Sequence, residues 1–257
     1  EITSLIKDLD PLNINENLIN KVKKIDLKKL PEIDKNIRIG SCVANPQKFI
    51  GIGLNYSDHA EEQNLKPPSE PIVFFKATSS ISGPDDNIII PKNSRKTDWE
   101  VELGFVISKK TQYVKIENAL NYVLGFFLVN DVSEREWQKE KCGQWTKGKS
   151  ADTFGPIGPY IVTTDELLDY QNLNMFLDLN GKRMQNGNTS KMIFNVKYLI
   201  SYLSNFMTLL PGDIITTGTP PGVGENKKPP IFLKNGDVVK LGINKLGEQN
   251  HKVILWK

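Results

Sequence analysis

Three carboxylate side chains in the middle of the chain have the type and the spacing of a binding site for a hard divalent cation. Glu100 and Glu102 lie two residues apart in the segment 96–107, and Asp131 ends the largely apolar segment 123–131. Both segments are rich in β-branched and aromatic residues, which predicts strands. Alternate side chains of a strand share a face, so Glu100 and Glu102 are expected side by side with Cα atoms about 6.6 Å apart. Three converging carboxylates repel one another unless a cation lies between them, so this arrangement predicts a metal site.

The Glu-x-Glu pair also has a simpler interpretation, in which both side chains belong to the solvated face of a half-exposed sheet. Trp99, Val101 and Leu103 fit this interpretation as the buried face of the same strand. On the pair alone we favour the solvated face over a metal site. Residues elsewhere in the chain have to decide between the two.

A candidate general base occurs upstream of the carboxylates. Ser57 or Asp58 can cap a short helix, on which His59 and Glu62 are three residues apart and therefore share a face. A carboxylate beside an imidazole orients the ring and raises its basicity, as the activation of water requires. The alternative is an exposed histidine with an incidental helical neighbour, in a chain that has one other histidine.

Composition excludes several classes of function. The chain has 257 residues and a formal net charge of +3, and its lysines are scattered, so we expect no nucleic-acid partner. Its two cysteines lie far apart without a C-x-x-C spacing, which argues against a disulfide framework or a zinc knuckle and favours a reducing cytoplasm. The longest apolar runs are strand-sized, shorter than the roughly 20 residues of a membrane span, and no signal-peptide pattern opens the chain, so we expect no membrane partner. The class of partner that remains is a small-molecule substrate.

The elements that must position these groups are mostly strands. One regular helix is predicted over 196–206, and a short amphipathic helix over 12–22. The chain is expected to divide into a small N-terminal element, 1–44, and a main body, 45–257. Strands are predicted near residues 49–53, 72–76, 88–90, 100–107, 123–129, 173–180, 213–217 and 237–243.

Three local patterns lie close to the candidate site residues. Ser133 and Glu136 match the capping box S-x-x-E, which predicts a helix directly after the third carboxylate with Arg135 and Gln138 on one face. The proline-rich segment 65–71 predicts a surface loop that, with the helix before it, can form a lid.

A glycine pair at the start of the main body is the third pattern. Gly51 and Gly53 follow an apolar start as in a dinucleotide fingerprint, but Tyr56 occupies the position of the third glycine and no βαβ alternation follows. We therefore reject a Rossmann fold.

Six separated motifs, in one order, resemble the fumarylacetoacetate hydrolase (FAH) superfamily from about residue 45 to the end of the chain. The sequences of these motifs are most similar to the bacterial branch that cleaves 2,4-diketo-3-deoxy sugar acids (fuconate or rhamnonate). Members of this branch are also labelled ureidoglycolate lyase or hydroxyheptadienedioate isomerase. The resemblance implies a mostly β fold with some α, a mixed β-sheet roll or barrel with a small N-terminal domain, assembled as a homodimer. The motifs are residues 55–62, Glu100-x-Glu102, Asp131, and residues 148–156, 180–185 and 217–224.

The resemblance also implies which residues form the site. Its metal ligands fall on Glu100, Glu102 and Asp131, and oxygen-only ligation favours Mg2+, with Mn2+ or Ca2+ as substitutes. Its catalytic residues fall on His59, Glu62 and Lys149, although a lysine in so irregular a segment is by itself more often solvated. Its substrate-binding positions fall on Arg135, Gln138 and Thr219.

The implied reaction is metal-dependent hydrolysis of the C-C bond of a 2,4-diketo acid, which gives pyruvate and a shorter carboxylic acid. Two alternatives remain open from the sequence. The first is isomerisation of a hydroxydienoate, or decarboxylation of an oxaloacetate-like acid, through the same enolate. The second is a non-enzymatic metal-binding module.

Overall fold

The computed structural model describes residues 6, 8–32, 34 and 36–257 and has the predicted mostly β fold with some α. Within these residues the strands are β1 (Phe49–Gly53), β2 (Ile72–Lys76), β3 (Ile81–Ser82), β4 (Ile88–Ile90), β5 (Thr97–Asp98), β6 (Val101–Ile107), β7 (Val123–Asn130), β8 (Ser133–Glu134), β9 (Gly155–Pro156), β10 (Val162–Thr163), β11 (Asn174–Leu179), β12 (Lys182–Asn188), β13 (Ile214–Thr216), β14 (Val238–Ile243) and β15 (Gly247–Leu255). The α-helices are α1 (Glu16–Val22), α2 (Ser57–Glu62), α3 (Arg135–Lys139), α4 (Trp145–Lys149) and α5 (Val196–Phe206). No helix of the described residues has the length and apolar character that crossing a membrane requires.

A six-stranded mixed sheet in the order β10-β7-β6-β13-β1-β2 forms the centre of the described structure. Every residue of β6 and β7 is buried. Leu103 and Phe105 belong to one apolar cluster, whereas Val106 belongs to a second, because neighbouring side chains of a strand point to opposite faces. The sheet is thus covered on both sides, which explains why β7 is apolar along its whole length.

The pairing of these strands brings one set of strand ends together. β1 and β13 are parallel, β13 and β6 are antiparallel, and so are β6 and β7. The carboxyl ends of β1, β13 and β7 therefore lie at the same sheet edge as the amino end of β6. Helix α2 follows β1 at that edge, and the β13 loop (residues 217–226) follows β13.

A five-stranded sheet in the order β12-β11-β14-β15-β4 packs against the central sheet. Leu177 of β11, Leu241 of β14 and Val253 of β15 lie in the same apolar cluster as Leu103 and Phe105. Strands β3 with β9, and β5 with β8, form short separate ladders. The molecule thus places its larger core between two sheets.

Two strands of the five-stranded sheet were not predicted, β12 and β15. In β15 three alternate residues are buried, Gln249, His251 and Val253, and two of them are polar. In β12 the buried residues include Gln185. Hydrophobic periodicity fails where polar side chains face the interior, because the alternation that it detects is absent.

The N-terminal residues pack on the main body through a small apolar cluster. Ile14 and Leu18 are buried, and Ile14 lies in the cluster of Phe49 and Phe127. Helix α1 begins later than predicted because the Asn15 side chain accepts a hydrogen bond from the Leu18 N–H and caps it. The predicted element 1–44 includes residues 1–5, 7, 33 and 35, which lie outside the described residues.

Candidate active site

The three carboxylates converge at the shared sheet edge. One oxygen from each of Glu100, Glu102 and Asp131 lies within 4.8 Å of the others. The β6–β7 register pairs Val101 with Asn130, so Glu100 and Asp131 meet just beyond the pair, where the Asp131 N–H donates to the Glu100 carbonyl at 2.9 Å. The three residues are 7%, 1% and 0% exposed, and the solvated-face interpretation is therefore wrong.

Three side-chain cations surround these carboxylates. Lys149 Nζ lies 2.8 Å from Glu100 Oε2 and 2.6 Å from Asp131 Oδ2. Lys76 Nζ lies 2.6 Å from Asp131 Oδ1, and Arg135 Nη2 lies 2.7 Å from Glu100 Oε1. The expectation that only a metal neutralises the carboxylates is therefore wrong, and so is the solvated alternative for Lys149. The protein itself supplies much of the compensating charge.

Burial and these charges move the pKa values of the carboxylates in opposite directions. Burial raises the pKa of Glu100, but the charges of Lys149 and Arg135 outweigh it and hold that pKa well below its usual value. For Glu102, burial and then the charges of Asp131 and Glu100 raise the pKa well above its usual value. Among the described residues Glu102 forms no ion pair; its Oε2 accepts from the Thr216 hydroxyl and from the Gly218 N–H.

The chemistry of this donor set fits a divalent metal ion. Asp98, which pairs with Arg135, adds a fourth carboxylate to the cluster, and the three cations leave one negative charge when all groups are ionised. Glu102 contributes an oxygen to the common site and forms no ion pair among the described residues. Buried, oxygen-only ligation with an excess negative charge is what Mg2+ and similar hard cations prefer.

The histidine and glutamate pair lies on α2, directly after β1. His59 Nδ1 is 3.0 Å from Glu62 Oε2, as their spacing predicted. The predicted cap is wrong: Tyr56 is the N-cap residue and makes no side-chain capping bond, while Ser57 and Asp58 lie inside the helix.

The pair is held from outside the helix by two groups of the β13 loop. Glu62 accepts hydrogen bonds from the Gly222 N–H at 3.1 Å and from Asn226 Nδ2 at 3.0 Å. Burial raises the pKa of Glu62, but the hydrogen bonds from His59, Asn226 and Gly222 together lower it below its usual value. On the other side of the ring, Gln63 Nε2 lies 2.7 Å from His59 Nε2. An ionised Glu62 and an amide donor assign the ring proton to Nδ1 and the lone pair to Nε2.

Helix α3 directs two predicted substrate-binding side chains toward the carboxylates. Arg135 Nη1 donates to Gln138 Oε1 at 3.1 Å, and both side chains are buried. The capping box is wrong in detail, because the side chain of Glu134 caps the helix through the Glu136 N–H. The Ser133 hydroxyl instead donates a hydrogen bond to the backbone carbonyl of Asp131.

Thr219, the third predicted substrate-binding residue, already has protein partners for its hydroxyl. It donates to the Val101 carbonyl at 2.9 Å and accepts from Gln185 Nε2 at 2.8 Å. Gln185 Oε1 in turn accepts from the Val101 N–H at 2.9 Å. These bonds fasten the β13 loop to the start of β6.

Sequence reasoning missed Asp98, Lys76 and Gln63. Asp98 Oδ1 accepts from the Gly224 N–H at 2.7 Å, and its Oδ2 accepts from Arg135 Nε at 2.9 Å, so it ties the β13 loop to α3. A lysine that ends the apolar strand β2 was the available signal for Lys76, since a buried strand end rarely carries an unpaired ammonium. For Asp98 the partners are distant in sequence or are backbone groups, and no local pattern marks it. Gln63 lies four residues after His59, so the i, i+4 spacing was the available signal for that contact.

A cavity of about 240 Å³ opens over these groups. Its lining includes His59, Glu100, Glu102 and Lys149, together with all three predicted substrate-binding residues. Glu62 and Asp131 do not line it, and Asp131 is fully buried. Its lining consists of Ile52, Gly53, Leu54, His59, Gln63, Leu65, Ile72, Phe74, Glu100, Glu102, Arg135, Gln138, Lys139, Trp145, Lys149, Gly218, Thr219, Val223 and Glu225.

Comparison with known proteins assigns the chain to a family. Residues 48–254 match the family described as fumarylacetoacetate (FAA) hydrolase, C-terminal. The chain belongs to the fumarylacetoacetate hydrolase family. The predicted superfamily is thus confirmed, and with it an enzyme whose relatives are hydrolases and isomerases, commonly dependent on a divalent metal.

Relatives from three organisms cover most of the chain. A Burkholderia cenocepacia protein, provisionally named a hydrolase, is 56% identical over 250 residues, which cover 97% of this chain and 89% of that protein. A fumarylacetoacetate hydrolase structure from Exiguobacterium antarcticum is 36% identical with a TM-score of 0.84, over 91% of this chain and 84% of the other. A 2-hydroxyhepta-2,4-diene-1,7-dioate isomerase structure from Mycobacterium marinum is 37% identical with a TM-score of 0.71, over 82% and 75%.

Proposed function

We propose that this FAH-family enzyme hydrolyses the C3–C4 bond of a 2,4-diketo acid of the acylpyruvate type. The products are pyruvate and the carboxylic acid of the acyl group. The observation that carries the proposal is the position of His59, which is supported by Glu62 and opens into the same cavity as Glu100 and Glu102. A base that activates water beside a cation site that stabilises an enolate is what this cleavage requires.

The substrate's anionic end is bound by the cationic side of the cavity. Lys149 and Arg135 attract the 1-carboxylate and 2-keto oxygens, and Gln138 and Thr219 line the same region. A cation held by Glu100, Glu102 and Asp131, Mg2+ in this proposal with Mn2+ or Ca2+ as substitutes, supplies Lewis-acid stabilisation of the enolate charge.

His59 performs the proton transfers. Its Nε2 takes a proton from water, whose oxygen then attacks C4 of the substrate. The C3–C4 bond breaks with its electron pair left on C3, and the imidazolium returns the proton to that carbon to give pyruvate. Glu62 holds the Nδ1 proton throughout, and its lowered pKa keeps it ionised so that it stabilises the imidazolium. For water to reach Nε2, the Gln63 amide has to move aside.

The alternative keeps the enolate and uses no water. The Mycobacterium marinum neighbour is named an isomerase, which favours this chemistry as the second candidate. In it, His59 moves a proton between two carbons of a hydroxydienoate, or the enolate forms by loss of CO2 from an oxaloacetate-like acid.

Isotope incorporation separates these reactions. Acetylpyruvate is incubated with the enzyme in H2(18)O, with Mg2+ or with EDTA, and pyruvate and acetate are measured by mass spectrometry. Hydrolysis requires cation-dependent pyruvate release with one labelled oxygen in the acetate. Turnover of a hydroxydienoate or oxaloacetate without any cleavage of acylpyruvates contradicts the proposal and favours the alternative.

A further inference from the structure

The glycine pair Gly51 and Gly53 makes room for two aromatic rings. A Cβ atom on Gly51 would lie 2.2 Å from Cζ of Phe74, and one on Gly53 would lie 2.3 Å from Cζ3 of Trp145. Both distances are far below a van der Waals contact, so only glycine allows the rings to lie against β1 at these positions. The pair therefore builds an aromatic surface, the Phe74–Trp145 wall, which lines the cavity.

The Phe74–Trp145 wall lies close to Lys149 and the carboxylates. The two ring centroids are 5.5 Å apart with the planes tilted by 52°. Trp145 and Lys149 lie four residues apart on α4 and so share a helix face. Lys149 Nζ is 5.1 Å from the Phe74 ring centroid and 2.6 Å from Asp131 Oδ2. A substrate whose carboxylate end meets Lys149 thus extends its other end along the wall.

Several polar groups of the cavity lining already have partners within the protein. Lys139 Nζ is paired with Glu225 Oε2 at 2.5 Å. The Thr219 hydroxyl both donates and accepts within the protein. Five further lining side chains are apolar: Ile52, Leu54, Leu65, Ile72 and Val223.

We propose that the Phe74–Trp145 wall binds the acyl group of the substrate and selects an apolar chain over a polyhydroxylated one. This inference rests on the proposed function and narrows its substrate class away from the sugar acids that the resemblance implied. Hydroxyl groups placed against apolar side chains lose their hydrogen bonds to water without replacement, whereas methylene groups gain from leaving water. Trp145 is therefore a specificity-determining residue.

Turnover of a series of substrates with increasing acyl chain length tests whether the wall selects an apolar acyl group. The series comprises acetylpyruvate, butanoylpyruvate, hexanoylpyruvate and a polyhydroxylated diketo acid of equal carbon number. We expect kcat/KM to rise roughly three- to fourfold for each added methylene group. Trp145→Ala should flatten this slope, and Gly53→Ala should do the same by displacing the indole. The matched control is Phe75→Ala, which removes the exposed neighbour of Phe74 on β2 and should keep the slope.

A binding measurement keeps the inference independent of catalysis. N-alkyl oxamates of increasing chain length are titrated calorimetrically into each protein in the presence of Mg2+. Affinity should rise with chain length in the wild type and in Phe75→Ala, and should be flat in Trp145→Ala. Three results contradict the proposed role of the wall: wild-type affinity that does not change with chain length, a preference for the polyhydroxylated acid, or a chain-length dependence that persists in Trp145→Ala. If oxamate affinity rises with chain length but no pyruvate is released from any substrate, hydrolysis is refuted while the proposed role of the wall is supported.

Discussion

The two ends of the cavity are held by different kinds of interaction. At the carboxylate end, Glu100 and Asp131 are fixed by the pairing of β6 with β7 in a sheet that is buried on both faces. At the base end, His59 lies on a six-residue helix without a side-chain cap, followed by a largely exposed segment, 61–70. Tyr56 and Ala60 anchor the start and middle of this helix by full burial, whereas its last residue, Glu62, is held by hydrogen bonds from the β13 loop.

This difference has a consequence for dynamics. Opening the carboxylate end requires separating central strands, which costs a large part of the unfolding free energy. The end of α2 and the exposed segment after it can open by breaking a few hydrogen bonds. We infer that the cation and substrate carboxylate meet a preformed site, while the base moves into position afterwards. The following predictions test that contrast.

The largest effect is expected from Glu102→Gln. Loss of this charge should lower kcat by about 10³-fold or more, because the site then binds its cation weakly and stabilises the enolate poorly. Calorimetric titration should record a weaker Mg2+ affinity, while circular dichroism and the melting temperature stay near those of the wild type. Full activity in metal-free protein would contradict the assigned role of the cluster.

His59→Ala should lower kcat for hydrolysis by roughly 10² to 10⁴-fold, the usual contribution of a positioned base. Oxalate affinity should stay near that of the wild type, because chelation depends on the carboxylate end and on Lys149. Any oxaloacetate decarboxylation should decrease less, since that reaction needs no attacking water. Equal loss of both reactions, with cation and oxalate still bound, would assign His59 to proton transfer rather than water activation.

Lys76→Met tests whether protein cations stabilise the carboxylate end before any metal binds. The substitution leaves Asp131 without its partner at Oδ1 in a fully buried position. We expect the metal-free protein to lose about 3 kcal/mol of unfolding free energy, the usual cost of breaking a buried pair. Urea denaturation measures this, and added Mg2+ should recover part of the loss. The matched control is Lys139→Met, whose exposed pair with Glu225 should contribute less than about 1 kcal/mol. Equal losses of unfolding free energy in the two variants would argue against a special stabilising role of the buried cations at the carboxylate end.

Glu62 gives the base end a pH dependence of its own. Its pKa is lower in the folded protein than in the unfolded chain, so its contribution to stability is present above about pH 4.3 and is lost as the pH falls through the folded value. The unfolding free energies of wild type and Glu62→Gln should therefore differ by up to about 1 kcal/mol at pH 6 and converge toward pH 3. A difference that stays constant over this range would mean that the ionised carboxylate contributes nothing.

The smallest effect concerns local opening. In ligand-free protein, amides of residues 55–70 should exchange with solvent faster than those of β6 and β7, and oxalate with Mg2+ should slow their exchange. Hydrogen exchange followed by mass spectrometry resolves the two regions. Equal protection with and without oxalate would mean that α2 is held in its final position throughout.

The sequence determined the parts of this protein that depend on neighbouring residues. The strand patterns around β1, β2, β6 and β7, the helix α5, and the helical spacing of His59 and Glu62 follow from side-chain periodicity, and all are present in the structure. The convergence of Glu100 with Glu102 also follows from one strand. Six motifs in order were enough to identify the family, because each combines rare residue types at fixed spacing.

Only the tertiary structure decided how charge is balanced at the site. Lys76 and Asp98 meet their partners across 55 and 37 residues of chain respectively, and nothing in the neighbouring sequence records a contact over such a separation. The same holds for the room that Gly53 makes for Trp145. Strand pairing chooses which distant side chains share a sheet edge, and burial there makes each ionic contact strong enough to set pKa values; periodicity contains neither the pairing nor the burial.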